Sequence, residues 1–353
     1  MPRYRVGYLP LFLLLTALLL VLSLVDLIVG PYTISMGDIL SYLLRGPDVS
    51  KATTVVIGMR LRRVLTAIAA GGLLGTSGYV VQANLRNPLA SPFTLGIQHA
   101  AALGAGVGIL VLGGGGVVGP RSATSATILI ANPFTVSILA FGASMLHTAL
   151  VLTLAYVTGL TIYSIILVAL ALSFTVQAVL ALLQYLVFNE IQVATLMFWT
   201  FGSVERTSWL EVEVLLVAYV VMAVATWVVA PDLDLMLLGD DIASSSGVNP
   251  RVFRAVSMST AALATALTIS FVGVVGFVCL VSGHIARLVF GWSARRSGLA
   301  SGLVGGLTML AADVISRTVI SPVTLPIGIT TTIVGVPVLI ALVLGGGRGY
   351  TRD

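Results

Sequence analysis

Ten apolar runs of roughly membrane-crossing length follow one another along this chain, near residues 8–29, 64–83, 95–113, 134–157, 161–187, 210–230, 251–270, 273–291, 301–317 and 328–345. A hydrocarbon core about 30 Å thick takes about 20 helical residues to cross, so the runs imply repeated crossings. Of the 353 residues 58% are hydrophobic and only 9% charged, against about 25% charged in an ordinary soluble domain. The runs are unbroken rather than alternating, which points to helices and not to a barrel. The expected fold is an all-α membrane protein, with residues 1–353 forming one transmembrane domain. Arg3 and Arg5 precede the first run, Leu9 to Val29, in the manner of a secretory signal. That run is too long for a signal core and lacks a small-residue cleavage pattern, so it reads as a retained span. The split between the seventh and eighth spans is placed at Gly273, where two helices can turn tightly.

An even span count puts both termini on one side, taken as cytoplasmic. That side then holds Arg3, Arg5, Arg86, Arg251, Arg254, Arg287, Arg295, Arg296, Arg348 and Arg352. The other side holds Arg45, Lys51, Arg60, Arg62, Arg63, Arg121, Arg206 and Arg317. Ten against eight is a slim inward excess for a multi-pass protein, so positive charge has a use outside. Ten spans also divide into two five-helix halves of opposite direction, the arithmetic of an inverted repeat. Gly72 to Gly75 in span two and Gly273 to Gly276 in span eight echo each other, and small residues at such spacing favour close helix packing. The basic residues sit singly between apolar runs and form no stripe for nucleic acid. Cys279 is the single cysteine and lies in an apolar run. It can form neither an intrachain disulfide nor a cysteine-based metal site, and no metal or other cofactor is expected.

The longest inward segment, 231–254, reads as a short helix below the membrane, with Asp240 or Asp241 as its cap and Gly247 as its stop. From composition it is an ordinary connector; rigid, it could also dock into a partner and transmit motion. The stretch Asn84 to Pro92 holds two prolines and two asparagines and must break the helix. His284 and Arg287 share a helix face, and Asp313 and Arg317 are four apart and can pair. A lone histidine in such a helix is more often a packing residue than a ligand.

Five stretches in register resemble the FecCD or BtuC-like permeases of iron-siderophore, haem and cobalamin ABC importers. Arg60-Leu61-Arg62-Arg63 is similar to that family's L-R-L-P-R, with Arg62 for the proline. Gly75 to Ile97 resembles the G-x-x-x-Q-x-x-x-x-N-P-L-A-x-P-x-x-L-G signature, which covers Gln82, Asn87, Pro88, Leu89, Pro92 and Gly96. Leu238 to Val248 resembles L-G-E-x-A-x-x-L-G-V through Leu238, Gly239, Asp240, Asp241, Ala243 and Gly247. Gly276 to Arg287 resembles G-F-V-G-L-x-V-P-H-I-x-R, with Cys279 for a glycine and Ser282-Gly283 for Val-Pro, a change that should straighten this helix. Asp313 with Arg317, then Pro326, Gly328 and Pro337, resemble A-D-x-x-x-R, E-L-P-x-G and G-A-P, with Thr324 where the family has glutamate.

The resemblance implies a permease subunit working as a pair: two copies, most simply a homodimer, with two ATPase subunits inside and a substrate-binding protein outside. It implies that Leu238 to Gly247 couples to the ATPase and that Arg60, Arg63 and Arg317 meet glutamates of the binding protein. It gives the remaining motif residues, from Gln82 to Pro337, structural or gating roles. No G-x-x-x-x-G-K-[ST] occurs, so ATP hydrolysis falls to a partner chain and this chain is not itself an enzyme. The competing reading is an ion-gradient-driven secondary transporter, but apart from Asp26, which lies near the outer end of span one, there is no strong candidate for a coupling carboxylate. An intramembrane enzyme would need a paired catalytic constellation that is not in the sequence. The glycine-rich tail around Gly345 to Arg348 is expected to be flexible and cytoplasmic.

Overall fold

Each apolar run becomes a helix in the computed structural model, which describes residues 8–30, 32, 34–46, 51–111, 116–118, 127–129, 133–321 and 323–346. In chain order the helices are α1 (Tyr8–Ile28), α2 (Met36–Arg45), α3 (Lys51–Asn84), α4 (Ile97–Val111), α5 (Pro133–Val157), α6 (Ile162–Leu186) and α7 (Glu190–Thr200). They continue as α8 (Trp209–Val228), α9 (Ala230–Leu238), α10 (Asp240–Ser245), α11 (Pro250–Val272), α12 (Val278–Phe290), α13 (Ala294–Thr318) and α14 (Ile327–Gly346). A 3₁₀ turn, Pro92–Leu95, leads into α4. Between α4 and α5 two three-residue strands, β1 (Gly116–Val118) and β2 (Thr127–Leu129), pair antiparallel with Gly116 opposite Leu129. Seven helices have the length and hydropathy to cross a membrane, and three shorter apolar ones, Ile97–Val111, Val278–Phe290 and Ile327–Ala341, complete the expected ten.

α3 is the axis of the bundle. The apolar window that spans it is 89% buried, against 11% for α1 and 17% for α6. It packs against α8, α11, α12 and α13. Small residues make this possible: a Cβ on Gly71, Gly75 or Gly78 would run into the backbone carbonyl of Gly305, Ser301 or Cys279. Gly72 lies against the Tyr219 ring of α8, so the early glycine pair serves packing.

The sequence reading needs several corrections. α3 starts thirteen residues before the expected Val64, so Arg60 to Arg63 lie inside a helix rather than at its opening. Gly273 to Gly276 is not helical: α11 stops at Val272, Gly273 turns with φ 89°, and α12 begins only at Val278. The split at Gly273 therefore holds, but the second glycine pair belongs to a non-helical break. Neither Asp240 nor Asp241 caps α10; Gly239 takes the N-cap position without a side-chain hydrogen bond. Helices α2, α7 and α9 were not anticipated. Arg3, Arg5, Arg121, Arg348, Arg352 and the end of the glycine-rich tail lie outside the described residues.

Both halves share one pattern. In each, a long second span (α3, α11) is followed by a non-helical break and a short third span (α4, α12). α1 ends at the face where α8 starts, since Arg317 holds the last carbonyls of α1 and shares Asp313 with Arg63, which pairs with Glu205 just before α8; these matching first spans therefore run in opposite directions. Backbone can leave the helix at membrane depth only where protein or water satisfies it. Such discontinuous helices are a hallmark of transport sites.

Candidate functional site

At one end of the bundle the arginines form an internal network. Arg60 and Arg317 are each only 7% exposed. Arg60 donates to the carbonyls of Leu27 and Ile28, both at 2.8 Å, and to that of Tyr32 at 2.5 Å. Arg317 donates to the carbonyls of Val29 at 2.8 Å and Asp26 at 2.9 Å, and pairs with the fully buried Asp26 carboxylate. The two guanidiniums thus satisfy the orphan carbonyls at the C-terminus of α1, a job more often done by a glycine cap. Arg63 spans Asp313 with 2.9 and 2.7 Å bonds from Nε and reaches Glu205 at 3.0 Å from Nη1. Asp313 in turn lies 3.3 Å from Arg317, as its i, i+4 spacing predicted. Buried charges persist only when satisfied, and here Arg63 and Arg317 match Asp313 and Asp26, while Arg60 is held by three backbone carbonyls. Of the three expected docking arginines Arg63 is the most exposed, at 11% of its side chain against 6% for Arg317.

Beside this network three chain segments meet without helix. Ser203 donates its N–H to the carbonyl of Val272 at 2.7 Å, while Ile327 and Gly328 donate to the carbonyls of Gly202 and Phe201 at 3.2 and 3.0 Å. A Cβ on Gly328 would strike the carbonyls of Val274 and Phe201, which explains a glycine two residues after Pro326. Phe277 closes the break in the left-handed region at φ 66°, a costly conformation for an aromatic residue, with its side chain against Gly335 of α14. Gly276 accepts the N–H of Val278, and Pro337 sits exposed within α14. Next to it Arg206 stacks over Trp199 at 5.7 Å. Burial pushes the Arg206 guanidinium down to about 10. Arg206, Trp199, Ser208, Glu211, Phe134 and Phe271 line a cavity of about 240 Å³.

The other break, 85–96, is built from local hydrogen bonds. Asn87 accepts the N–H of Leu89 on its side-chain oxygen at 2.9 Å, Pro88 and Leu89 stay exposed, and Ser91 and Thr94 cap the 3₁₀ turn reciprocally around Pro92. Gly96 turns with φ 83°, and a Cβ there would collide with Ser173 and His147. His147 bonds the carbonyl of Leu95 at 2.9 Å, which makes it a structural partner. Gln82, fully buried, donates to the carbonyl of Leu280 at 3.2 Å and accepts from Arg287. Arg287 also lies 5.5 Å over the Tyr79 ring. Gly283 fits against the Gln82 amide, so the Ser282-Gly283 departure makes room for Gln82, and α12 runs unbroken through it. His284 is half-buried in the same helix.

At the opposite end from the arginine network, α9 and α10 lie across the bundle. Asp240 takes Arg86 at 3.0 Å and Arg254 at 2.7 Å on a single carboxylate oxygen. Arg254, 1% exposed, also donates to the carbonyl of Leu160 at 2.9 Å. Ala243 is buried, Gly247 ends the turn with φ 90°, and Leu238, Asp241 and Ile242 stay exposed. Asp234, on α9, accepts the N–H of Ala294 at 2.6 Å and so caps α13. The sequence reading missed Glu205, Arg86, Arg254 and Asp234 as partners; isolated charges beside apolar runs were the available signal.

A family model described as the FecCD transport family matches residues 18–345. The chain belongs to the FecCD transport family. A Methanocaldococcus jannaschii ABC transporter permease protein is 34% identical over 322 residues, covering 91% of this chain and 90% of that protein. The Fe(3+)-citrate import system permease protein YfmE of Bacillus subtilis is 31% identical over 330 residues, covering 94% and 93%. A solved metal-chelate type ABC transporter in an inward-facing conformation superposes with a TM-score of 0.81 at 25% identity, covering 95% of this chain and 99% of that one. Among the described residues no group of three His, Cys, Asp or Glu side chains could hold a metal ion. In this FecCD chain the motif residues fall into three places: the two helix breaks, the arginine network and the α9–α10 segment.

Proposed function

We propose that this FecCD chain is the permease subunit of an ATP-driven importer for a metal chelate, with an iron-siderophore as the first choice of cargo and cobalamin or haem as related ones. Two copies would work with two ATPase subunits and an external binding protein in a cytoplasmic membrane, with both termini inside. The observation that carries the reading is the α9–α10 segment. Its exposed Leu238 and Ile242 offer an apolar grip, while Asp240 fixes its base to Arg86 after α3 and to Arg254 in α11. A short helix held this way can pass the closing of an ATPase dimer to the bundle. The intramembrane carboxylates Asp26 and Asp313 are both matched by arginine, which leaves them poorly suited to carry a coupling ion.

The docking role assigned to the outer arginines narrows to Arg63, with Glu205, 66% exposed in its side chain, beside it. A glutamate of a binding protein would compete with Glu205 for Arg63, whereas Arg60 and Arg317 hold α1. The test is reconstitution in liposomes with the cognate ATPase and binding protein, with ferric citrate and a ferric trihydroxamate as cargo. Uptake should require ATP; uptake that persists without ATP and follows an ion gradient would overturn the proposal.

A further inference from the structure

α6 is the most lipid-like helix of the fold after α1, with a window hydropathy of 2.5 and only 17% of that window buried. Gln177 nevertheless stands exposed in its middle, sixteenth of 25 residues. A primary amide facing hydrocarbon there would lose its hydrogen bonds to water with nothing to replace them, which is unfavourable for a polar group in an apolar medium. Gln177 Nε2 lies 2.7 Å from His99 Nε2, and Gln98 Nε2 lies 3.4 Å from the same ring atom. Whichever way the amides turn, His99 Nδ1 is buried without a hydrogen-bond partner. Gln98 and His99 are the second and third residues of α4, directly after the break at Gly96. A polar trio therefore sits on the surface of the chain, at membrane depth, where a discontinuous helix begins.

The apolar neighbours sharpen the point. Leu170, Phe174 and Leu182 of the same helix are exposed by 48%, 60% and 56%, as lipid-facing or partner-facing residues should be. Gln177 instead continues the buried stripe Ile165, Ala169, Ser173 and emerges at the seam with α4. Its amide can reach His99 and still present hydrogen-bonding capacity outward.

We propose that Gln98, His99 and Gln177 form a hydrogen-bonding station on the wall of the cargo pathway, where the carboxylate or hydroxamate oxygens of a metal chelate are met by amide and imidazole donors. The station makes the permease itself contribute to selectivity, favouring oxygen-rich chelates over apolar cargo of the same size. This rests on the importer reading of the preceding section.

The test uses the full transporter in liposomes. Cys279 is the one cysteine and is wholly buried, so a single introduced thiol gives a clean signal. Gln177→Cys should react with a membrane-impermeant thiosulfonate at least about tenfold faster than Phe174→Cys, because the reacting thiolate forms only in water. Ferric citrate, delivered by the binding protein with ATP, should slow that labelling. Gln177→Leu should lower ferric citrate uptake about fivefold, the size of one or two lost hydrogen bonds. Labelling of Gln177→Cys no faster than of Phe174→Cys would mean that lipid or a second copy covers the seam, and the inference would fall. Rapid labelling without cargo protection and with unchanged uptake by Gln177→Leu would equally overturn it. If the unsubstituted transporter shows no ATP-dependent uptake, it is the importer reading that fails, since labelling alone still reports on the seam.

Discussion

Replacing Arg317 by leucine tests whether the outer arginines clamp α1 or serve a docking surface. The leucine keeps much of the volume but removes four interactions: the pairs with Asp26 and Asp313 and the donations to the carbonyls of Asp26 and Val29. Asp313 keeps Arg63, so its charge stays matched. The Asp26 carboxylate, 0% exposed, is left without its counter-ion. Removing one member of a buried ion pair costs about 3–5 kcal/mol, roughly two to three and a half orders of magnitude in the folding equilibrium. Replacing both members by apolar residues is about neutral in comparable sites. Arg317→Leu combined with Asp26→Leu should therefore recover most of what Arg317→Leu loses. The assay is thermal unfolding in detergent followed by the reaction of Cys279 with a fluorogenic maleimide, which the fold shields until it opens. A single variant that melts like the unsubstituted protein would refute the clamp. So would a double variant no better than the single one. Loss of binding-protein association with unchanged melting would return Arg317 to docking.

Gly283→Ala should destabilise the protein by about 1–3 kcal/mol, because overpacking forces its neighbours to move. The new Cβ would lie 2.5 Å from Gln82 Oε1, and the same thiol assay reads the effect. Asp240→Asn should weaken the hold on Arg254 by about 1.5–3 kcal/mol, the range for hydrogen bonds to charged groups. The expected readout is less cargo moved per ATP hydrolysed, and an unchanged ratio would argue against transmission through Asp240. The α2 cap should be pH-dependent, since donation from the Ser35 hydroxyl and N–H holds the Asp38 carboxyl below its ordinary range. A depressed folded-state pKa adds stability above the ordinary value of about 4 that is lost as pH falls through the lowered one. Amide exchange in α2, corrected for intrinsic rates, should accelerate on acidification, and Ser35→Ala should blunt the change.

The ten spans could be read from the sequence because each apolar run is long compared with the errors at its ends. The short helices were harder, yet their starts carry readable signals: Ser35 with Asp38 and Asn189 with Gln192 are capping boxes. α9 has no such signal, beginning directly after α8 with no side-chain cap. The breaks were legible where proline and asparagine cluster, at 84–92, and less so at 273–277, where only two glycines mark them. The roles of the arginines were not legible at all. Arg317 meets carbonyls 288 and 291 residues away in sequence, and nothing in spacing distinguishes an arginine facing outward from one turned into the protein. The resemblance named motif residues but not the partners they meet in the fold.

The 34 residues of α3 make a rod about 50 Å long at 1.5 Å per residue, well beyond the hydrocarbon thickness. Between Arg63 and Asn84 it rises about 32 Å, close to one bilayer core. The arginine network therefore grips this rod at one water boundary, and Arg86 carries its far end to Asp240 at the other, with the glycine seam midway. A stiff strut anchored by charge at both boundaries cannot slide along the membrane normal without breaking one set of pairs. It can tilt or turn about its own axis and keep both, so the shape of the fold favours rotation over translation as its working stroke.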